Sequence, residues 1–280
     1  MAVFEVNFVS QCLNRAVPMH VILPTDKVYF PGMKKREEGK PYKTLYLLHG
    51  IVGNYTDWLY GTRIQRWAEE RDLAVVMPSG DNFSYLDQDW NGNYYGSFIG
   101  EELVRFTRKS FPLSEKKEDT YIGGLSMGGF GAMRNGLKYS DTFGAIISLS
   151  PANLDLKAML KAPEKPMFFA QTLEYARSVL GQELEAAVDS DRNPTWIVKR
   201  MVSEKKEFPS IYLACGDQDL LLHGCEDFAR LLEEHEIPHL FEIGSGAHEW
   251  DFWDTYIKKA LDWLPLEDKE AGMNSGNVGI

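Results

Sequence analysis

The chain has 280 residues, of which 44% are hydrophobic and 25% charged, enough to bury a sizeable core in one α/β domain. Its formal net charge of -11 argues against a nucleic-acid partner and against anionic membrane surfaces, because both require a basic face. Three cysteines (Cys12, Cys215 and Cys225) form no CxxC pair, which counts against a zinc ribbon and a redox motif. Free thiols in a reducing compartment are the expectation. The first residues lack a basic region followed by an apolar run, so no signal peptide is expected. No apolar stretch approaches the ~20 residues of a membrane span. Together these features set a cytoplasmic protein as the expectation.

In chain order, Phe4, Val6 and Phe8 alternate on one face, a turn follows at Asn14-Arg15, and residues 17–23 return. This pattern predicts an antiparallel pair ending at Pro24. Residues 31–43 are rich in Gly, Pro and charge and read as a solvent loop. Continuous apolar runs then occur at 44–48, 73–77, 120–122, 145–149, 211–214 and 239–243. Runs of this kind suit parallel strands buried on both faces. Helical patterns lie between them at 57–70, 99–110, 127–138, 224–235 and 250–263. Strands alternating with helices predict an α/β fold with a mostly parallel central sheet covered on both faces.

The stretch between the strands at 145–149 and 211–214 is several-fold longer than an ordinary crossover. It carries helical patterns at 154–160, 168–180 and, after Asn193, 194–201. Residues 151–208 therefore read as an inserted helical cap or pocket wall within one domain spanning 1–280. No internal repeat is seen. Residues 266–280 end small and polar and are expected to form a loose tail.

Residues 124–128 read Gly-Leu-Ser-Met-Gly, a G-x-S-x-G pattern between an apolar strand and a helical run. That is the setting of a nucleophile elbow, where small neighbours let strand and helix approach closely. Ser126 is the candidate nucleophile. A serine hydroxyl needs a base within hydrogen-bond reach, and the base needs an orienting carboxylate. In an α/β-hydrolase they follow in the order Ser, Asp/Glu, His.

Of six histidines, only His248 stands in a loop after the last strand, in GSGAHEWDFW. It is the candidate base. After the strand at 211–214 come Asp217 and Asp219. The G-x-x-D spacing from Gly216 favours Asp219. Asp217 is the alternative and also suits a turn-holding role.

A tetrahedral intermediate needs backbone N–H donors. Met127, next to the nucleophile, and Ile51, in the loop Leu47–Gly53, are the candidates. His49 reads as structural. Trp90 and Tyr85, in aromatic loops after the strand at 73–77, are candidates for lining a substrate pocket, with packed surface loops the competing reading. Trp250 and Trp253 read as core packing, and Glu101 and Glu102 as a solvated helix start.

These residues resemble the esterase D-like branch of the α/β-hydrolases. The resemblance is carried by VPMHVILP (17–24), LYLLHGIVGNYTDW (45–58), SFIGEELVRF (97–106), GLSMGGFGAM (124–133), CGDQDLL (215–221) and GAHEWDFW (246–253). That branch includes S-formylglutathione hydrolases, tributyrin-type carboxylesterases, feruloyl and acetyl xylan esterases, and antigen 85 acyltransferases. The resemblance implies the α/β-hydrolase fold, the triad above, and Ile51 and Met127 as oxyanion donors. It is strongest to the tributyrin-type esterases, whose end reads similarly to HEWDFW. S-formylglutathione hydrolases usually read GHSMGGHGA, whereas this chain has Leu125 and Phe130 at the histidine positions. That departure weighs against formylglutathione as substrate.

The expected activity is hydrolysis of small acyl or hydroxycinnamoyl esters, with a small-molecule ester as partner and no metal or organic cofactor. A thioesterase, an antigen 85-like acyltransferase and a non-catalytic binding module are the alternatives. The sequence sets no oligomeric state and accommodates a homo-oligomer.

Overall fold

The structure is a computed structural model that describes residues 1–29, 31 and 35–266. The expected tail at 266–280 lies, apart from Leu266, outside the described residues. We number the strands of the main sheet β1 (Ala2–Ser10), β2 (Arg15–Leu23), β3 (Lys43–Leu48), β4 (Leu73–Pro78), β5 (Thr120–Leu125), β6 (Ala145–Leu149), β7 (Ser210–Gly216) and β8 (His239–Gly244). Their spatial order is β1-β2-β4-β3-β5-β6-β7-β8. β1 and β2 pair antiparallel, and β2 joins β4 antiparallel. From β4 to β8 every pairing is parallel. This is the α/β-hydrolase fold.

The parallel strands β3 to β7 are largely apolar and buried because both of their faces are covered, whereas the edge strand β8 has no buried residue. Successive residues serve opposite cores. Tyr46 and Leu48 face one cluster with Ile122, Met133 and Phe228, while Leu45 and Leu47 face a second with Trp67, Trp253 and Ile257. Helices Met127–Lys138, Pro194–Ser203 and Leu222–Glu234 cover the first face. Helices Ile64–Glu70 and Trp250–Trp263 cover the second. Among the described residues no helix is long and apolar enough to cross a membrane.

Several elements differ from the sequence expectation. β5 runs to Leu125 rather than stopping at 122. Gly123 and Gly124 resemble a turn in sequence but lie within the sheet, and a Cβ on Gly123 would stand 3.2 Å from Ile147. The helix expected at 57–70 is two, Asp57–Gly61 and Ile64–Glu70. Thr62 between them is extended, and Gly61 sits against the Trp250 ring. A two-stranded ribbon, Asp87–Gln88 with Asn93–Tyr94, was not expected.

The helix expected at 99–110 begins at Tyr95 and contains a π turn over Phe98–Glu102, with Gly100 against the Tyr139 ring. This corrects the reading of Glu102 as solvated. Only Glu101 is exposed. Glu102 is buried, and its carboxylate accepts from the Ser10 hydroxyl, from Gln11 N–H at 2.7 Å and from Cys12 N–H at 3.2 Å. It pins the β1–β2 turn to the helix. Burial pushes this carboxyl up, but the hydrogen bonds outweigh it and hold the group below its usual range. Glu102→Gln replaces one acceptor oxygen by a donor facing donors, so a loss of about 2 kcal/mol is expected by thermal unfolding. Because the folded pKa lies below the unfolded one, the contribution is full above the ordinary carboxyl range. It is lost as pH falls through the folded value. An unchanged unfolding midpoint in the variant would refute the pinning role.

Between β6 and β7 the chain forms 3-10 turns at Leu156–Leu160 and Phe169–Gln171 and helices Leu173–Leu180, Leu184–Val188 and Pro194–Ser203. The helix expected at 168–180 thus starts at Leu173, where Thr172 caps it by accepting from Tyr175 N–H. Leu184–Val188 was not expected. Arg134, fully buried on the helix after Ser126, ties this insertion down by donating to the Asp191 carbonyl at 2.8 Å.

Candidate active site

Ser126 follows β5 with φ 54 and ψ -118, a conformation that costs a non-glycine residue energy and is held by its surroundings. Ser126 N–H donates to Leu149 O at 2.9 Å, and its carbonyl accepts from Phe130 N–H at 3.0 Å. The sharp turn brings β5, the following helix and the end of β3 into contact. A Cβ on Gly124 would lie 2.3 Å from Gly128 O, and one on Gly128 would lie 2.3 Å from Leu48 O. The two outer positions of G-x-S-x-G therefore admit no side chain.

His248 Nε2 lies 3.0 Å from Ser126 Oγ, and His248 Nδ1 lies 2.8 Å from Asp219 Oδ2. A carboxylate only accepts, so Nδ1 carries the hydrogen and Nε2 of the neutral ring can accept from the serine hydroxyl. The Asp219 side chain is fully buried, and its other oxygen accepts from Leu221 N–H at 2.9 Å. Burial pushes the Asp219 carboxyl up, while the bonds from His248 and Leu221 outweigh it and keep the group below its usual range.

Asp217 does something else. Its Oδ1 accepts from Gly246 N–H at 3.1 Å, while Asp217 N–H donates to Gly244 O and Gln218 N–H to Gly246 O. These bonds tie the acid loop to the histidine loop. Gly246 has φ 143, a conformation that favours glycine. Behind the imidazole stands an aromatic ladder. Trp253 meets His248 edge-on at 4.9 Å, Trp250 meets Trp253 at 5.3 Å, and Trp58 meets Trp250 at 5.8 Å. Trp58 Nε1–H donates to Leu48 O at 2.8 Å. Trp253 thus packs in the core, as its spacing predicts, and also steadies the imidazole.

The loop after β3 approaches Ser126 closely. A Cβ on Gly50 would lie 2.7 Å from the Leu125 side chain and 3.6 Å from Ser126 Cβ. His49 is buried and fixes this loop, donating from Nδ1 to Gly50 O at 2.7 Å and accepting at Nε2 from Gly80 N–H at 2.8 Å. Burial pulls its pKa down, which keeps it neutral and able to accept. Met127 is the first residue of its helix, so its N–H has no intrahelical acceptor. Beside Ile51, the amides of Val52 and Gly53 go to Asn82 Oδ1 and Gly50 O. Among the described residues neither Ile51 N–H nor Met127 N–H donates to a protein atom.

A cavity of about 580 Å³ opens beside Ser126 and His248. Its walls come largely from the insertion, including Leu156, Met159, Tyr175 and Leu180, with Ile51, Leu86 and Phe130 from the core. Neither Trp90 nor Tyr85 lines it, which corrects both expectations. Trp90 lies under the Arg192 guanidinium and against Gly181. Tyr85 is fully buried with its hydroxyl donating to His49 O at 3.0 Å, so it supports the β3 loop from behind. The insertion residues on the wall carried no sequence signal beyond a helical period. Among the described residues no group of three or more His, Cys, Asp or Glu side chains converges as a metal site.

The family model described as Esterase matches residues 10–264. An acetyl esterase of Caldicellulosiruptor saccharolyticus is 41% identical over 266 residues, covering 94% of this chain and 98% of its own. A fluorophosphonate-binding serine hydrolase of Staphylococcus aureus, solved with substrate bound, is 31% identical with a TM-score of 0.80, over 94% of this chain and 98% of that one. An S-formylglutathione hydrolase of the same organism is 30% identical with a TM-score of 0.78 and the same coverage. The chain belongs to the Esterase family and is a carboxylic ester hydrolase.

Proposed function

We propose that this protein is a serine carboxylesterase that cleaves small acyl or hydroxycinnamoyl esters through an acyl-enzyme on Ser126. The carrying observation is the unbroken hydrogen-bond chain from Ser126 Oγ through His248 to the buried Asp219 carboxylate. In this reading Ser126 Oγ attacks the ester carbonyl carbon while His248 Nε2 takes its proton. The same proton passes to the departing alcohol, and water, activated by His248, then releases the acid and restores Ser126. Asp219 holds the imidazole in the tautomer that accepts. The amides of Ile51 and Met127 stabilise the oxyanion, and residues 151–208 act as pocket wall. The acetyl esterase relative supports short acyl groups. Ferulic acid esterases among the solved structures share the fold at 20% identity or less and lend the aromatic acyl class no more than that. The proposed setting is the cytoplasm, on the three free thiols.

Hydrolysis of S-formylglutathione is the second reading, favoured by the S-formylglutathione hydrolase at 30% identity. Against it stands the pocket, where among the described residues Lys161 is the only Lys or Arg on the wall to meet a glutathione bearing two carboxylates. Rates on p-nitrophenyl acetate, methyl ferulate and S-formylglutathione test the choice, with the oxygen esters expected to be faster. A pre-steady-state burst of p-nitrophenol, with the acyl mass on the peptide containing Ser126, tests the intermediate. A strong preference for S-formylglutathione would overturn the carboxylesterase assignment.

A further inference from the structure

Among the described residues, and apart from the triad, Ser84 and Tyr175 are the buried polar residues on the cavity wall, where Asn153, Lys161, Gln171 and Thr172 are more exposed. Ser84 and Tyr175 stand on its wall at 9% and 8% exposure, and their hydroxyls share a hydrogen bond of 3.2 Å in which either can donate. Two hydroxyls bring two donor hydrogens, and their mutual bond uses one. The second is available to whatever fills the cavity. Leu86, Phe130, Leu156 and Leu180 surround the pair with apolar surface.

The backbone is bent to produce this arrangement. Ser84 and Tyr85 both have positive φ, 53 and 55, which costs non-glycine residues energy and concentrates at functional sites. The bend sends Ser84 to the cavity and Tyr85 away from it, beneath the β3 loop. Burial pushes the Tyr175 phenol up, against a smaller opposing effect of its bond with Ser84, so it remains a neutral hydroxyl.

The position also selects one half of the ester. On the reaction proposed above, His248 protonates the departing alcohol, so the alcohol lies on the side of His248 and Leu221. Tyr175 packs in the cluster of Leu86, Phe130 and Leu180, against which Ile51 also packs, and Leu221 is not among its residues. We propose that Ser84 and Tyr175 form a specificity site for the acyl group, recognising an ether, carbonyl or hydroxyl oxygen carried on an apolar body away from the scissile carbonyl. This inference rests on the esterase reading and deepens it. An acyl group lacking such an oxygen leaves the spare donor unpaired in apolar surroundings, so the site discriminates against it.

The test compares kcat/KM for methyl 3-phenylpropionate with its 3-methoxy and 4-methoxy ring derivatives, which add an acceptor but no donor. The native enzyme is expected to favour at least one methoxy ester about tenfold, the value of one neutral hydrogen bond. In the double variant Ser84→Ala/Tyr175→Phe that ratio is expected to fall to about one, because either single change leaves one hydroxyl whose hydrogen is free to donate. If that variant misfolds, Ser84→Gly/Tyr175→Phe removes both hydroxyls in a second way, since glycine adopts the positive φ of residue 84 without strain. A parallel pair, benzyl acetate and 4-methoxybenzyl acetate, carries the oxygen on the alcohol. Ratios for this pair are expected to be unaffected by either variant. Equal native rates on the acyl pair, or a preference that survives removal of both hydroxyls, would overturn the specificity site while leaving the esterase intact. A variant effect confined to the benzyl pair would overturn the acyl assignment. Absence of hydrolysis of every ester would remove the esterase reading and this inference with it.

Discussion

Ser126→Ala is expected to lower kcat/KM for p-nitrophenyl acetate by at least about 10⁴-fold, leaving a residue of catalysis from the oxyanion donors and binding. The change removes one oxygen, whose only protein partner in the structure is His248 Nε2. The backbone bonds of this residue, to Leu149 O and from Phe130 N–H and Ala152 N–H, do not involve the hydroxyl. Alanine can adopt the same strained turn at a cost similar to serine's, so the variant should fold. Circular dichroism and thermal unfolding would check that. A folded Ser126→Ala enzyme working at the native rate would eliminate the acyl-enzyme on this residue.

The second large effect separates two aspartates that lie two residues apart. Asp219→Asn is expected to lower kcat by about 10³–10⁴-fold. An amide in that place can donate to Nδ1, which favours the tautomer with hydrogen on Nε2, and that nitrogen then cannot accept from Ser126. Asp217→Asn is expected to cost less than about tenfold, because an amide oxygen can still accept from Gly246 N–H. Steady-state kinetics on one ester measures both. Equal losses would mean that the loop geometry, rather than the carboxylate beside His248, carries the effect.

The two aspartates also show how much of the protein its sequence discloses. Strand positions β3 to β7 were legible because burial on both faces forces continuous apolar runs, the edge strand β8 kept enough of that pattern to be placed, and the order Ser126, Asp219, His248 along the chain followed from those positions. Spacing favoured Asp219 over Asp217, but side-chain direction distinguished them, and direction depends on the Gly244–Gly246 crossing that ties the two loops together. Trp90 and Tyr85 were misplaced for a related reason. Positive φ at Asp81, Ser84 and Tyr85 folds their loop back on itself, and these residue types do not announce that bend. Glu102 was read as solvated because it stood at the expected start of a helix at 99, whereas the helix begins at Tyr95 and Glu102 closes a π turn inside it. The pocket wall was hidden most completely. Its residues are ordinary apolar side chains whose common destination exists only once the insertion has folded against Phe130 and Ile51.

The division of labour around the cavity has an engineering consequence. Ser126, Asp219, His248 and the β3 loop are fixed largely by strand ends and by each other, and among the described residues the insertion hydrogen-bonds none of their side chains, reaching Ser126 through Ala152 N–H on its carbonyl. The insertion in turn supplies most of the surface that a substrate body would touch. On the proposed reaction, chemistry and choice of reactant are held by separate stretches of polypeptide, joined through Arg134 and Asp191, through Ala152 N–H on the Ser126 carbonyl and through apolar packing on Phe130. A lineage could exchange or lengthen residues 152–180 and acquire new ester preferences without rebuilding its chemistry. A designer could do the same by transplanting that stretch onto another member of the family and retaining the host's turnover machinery.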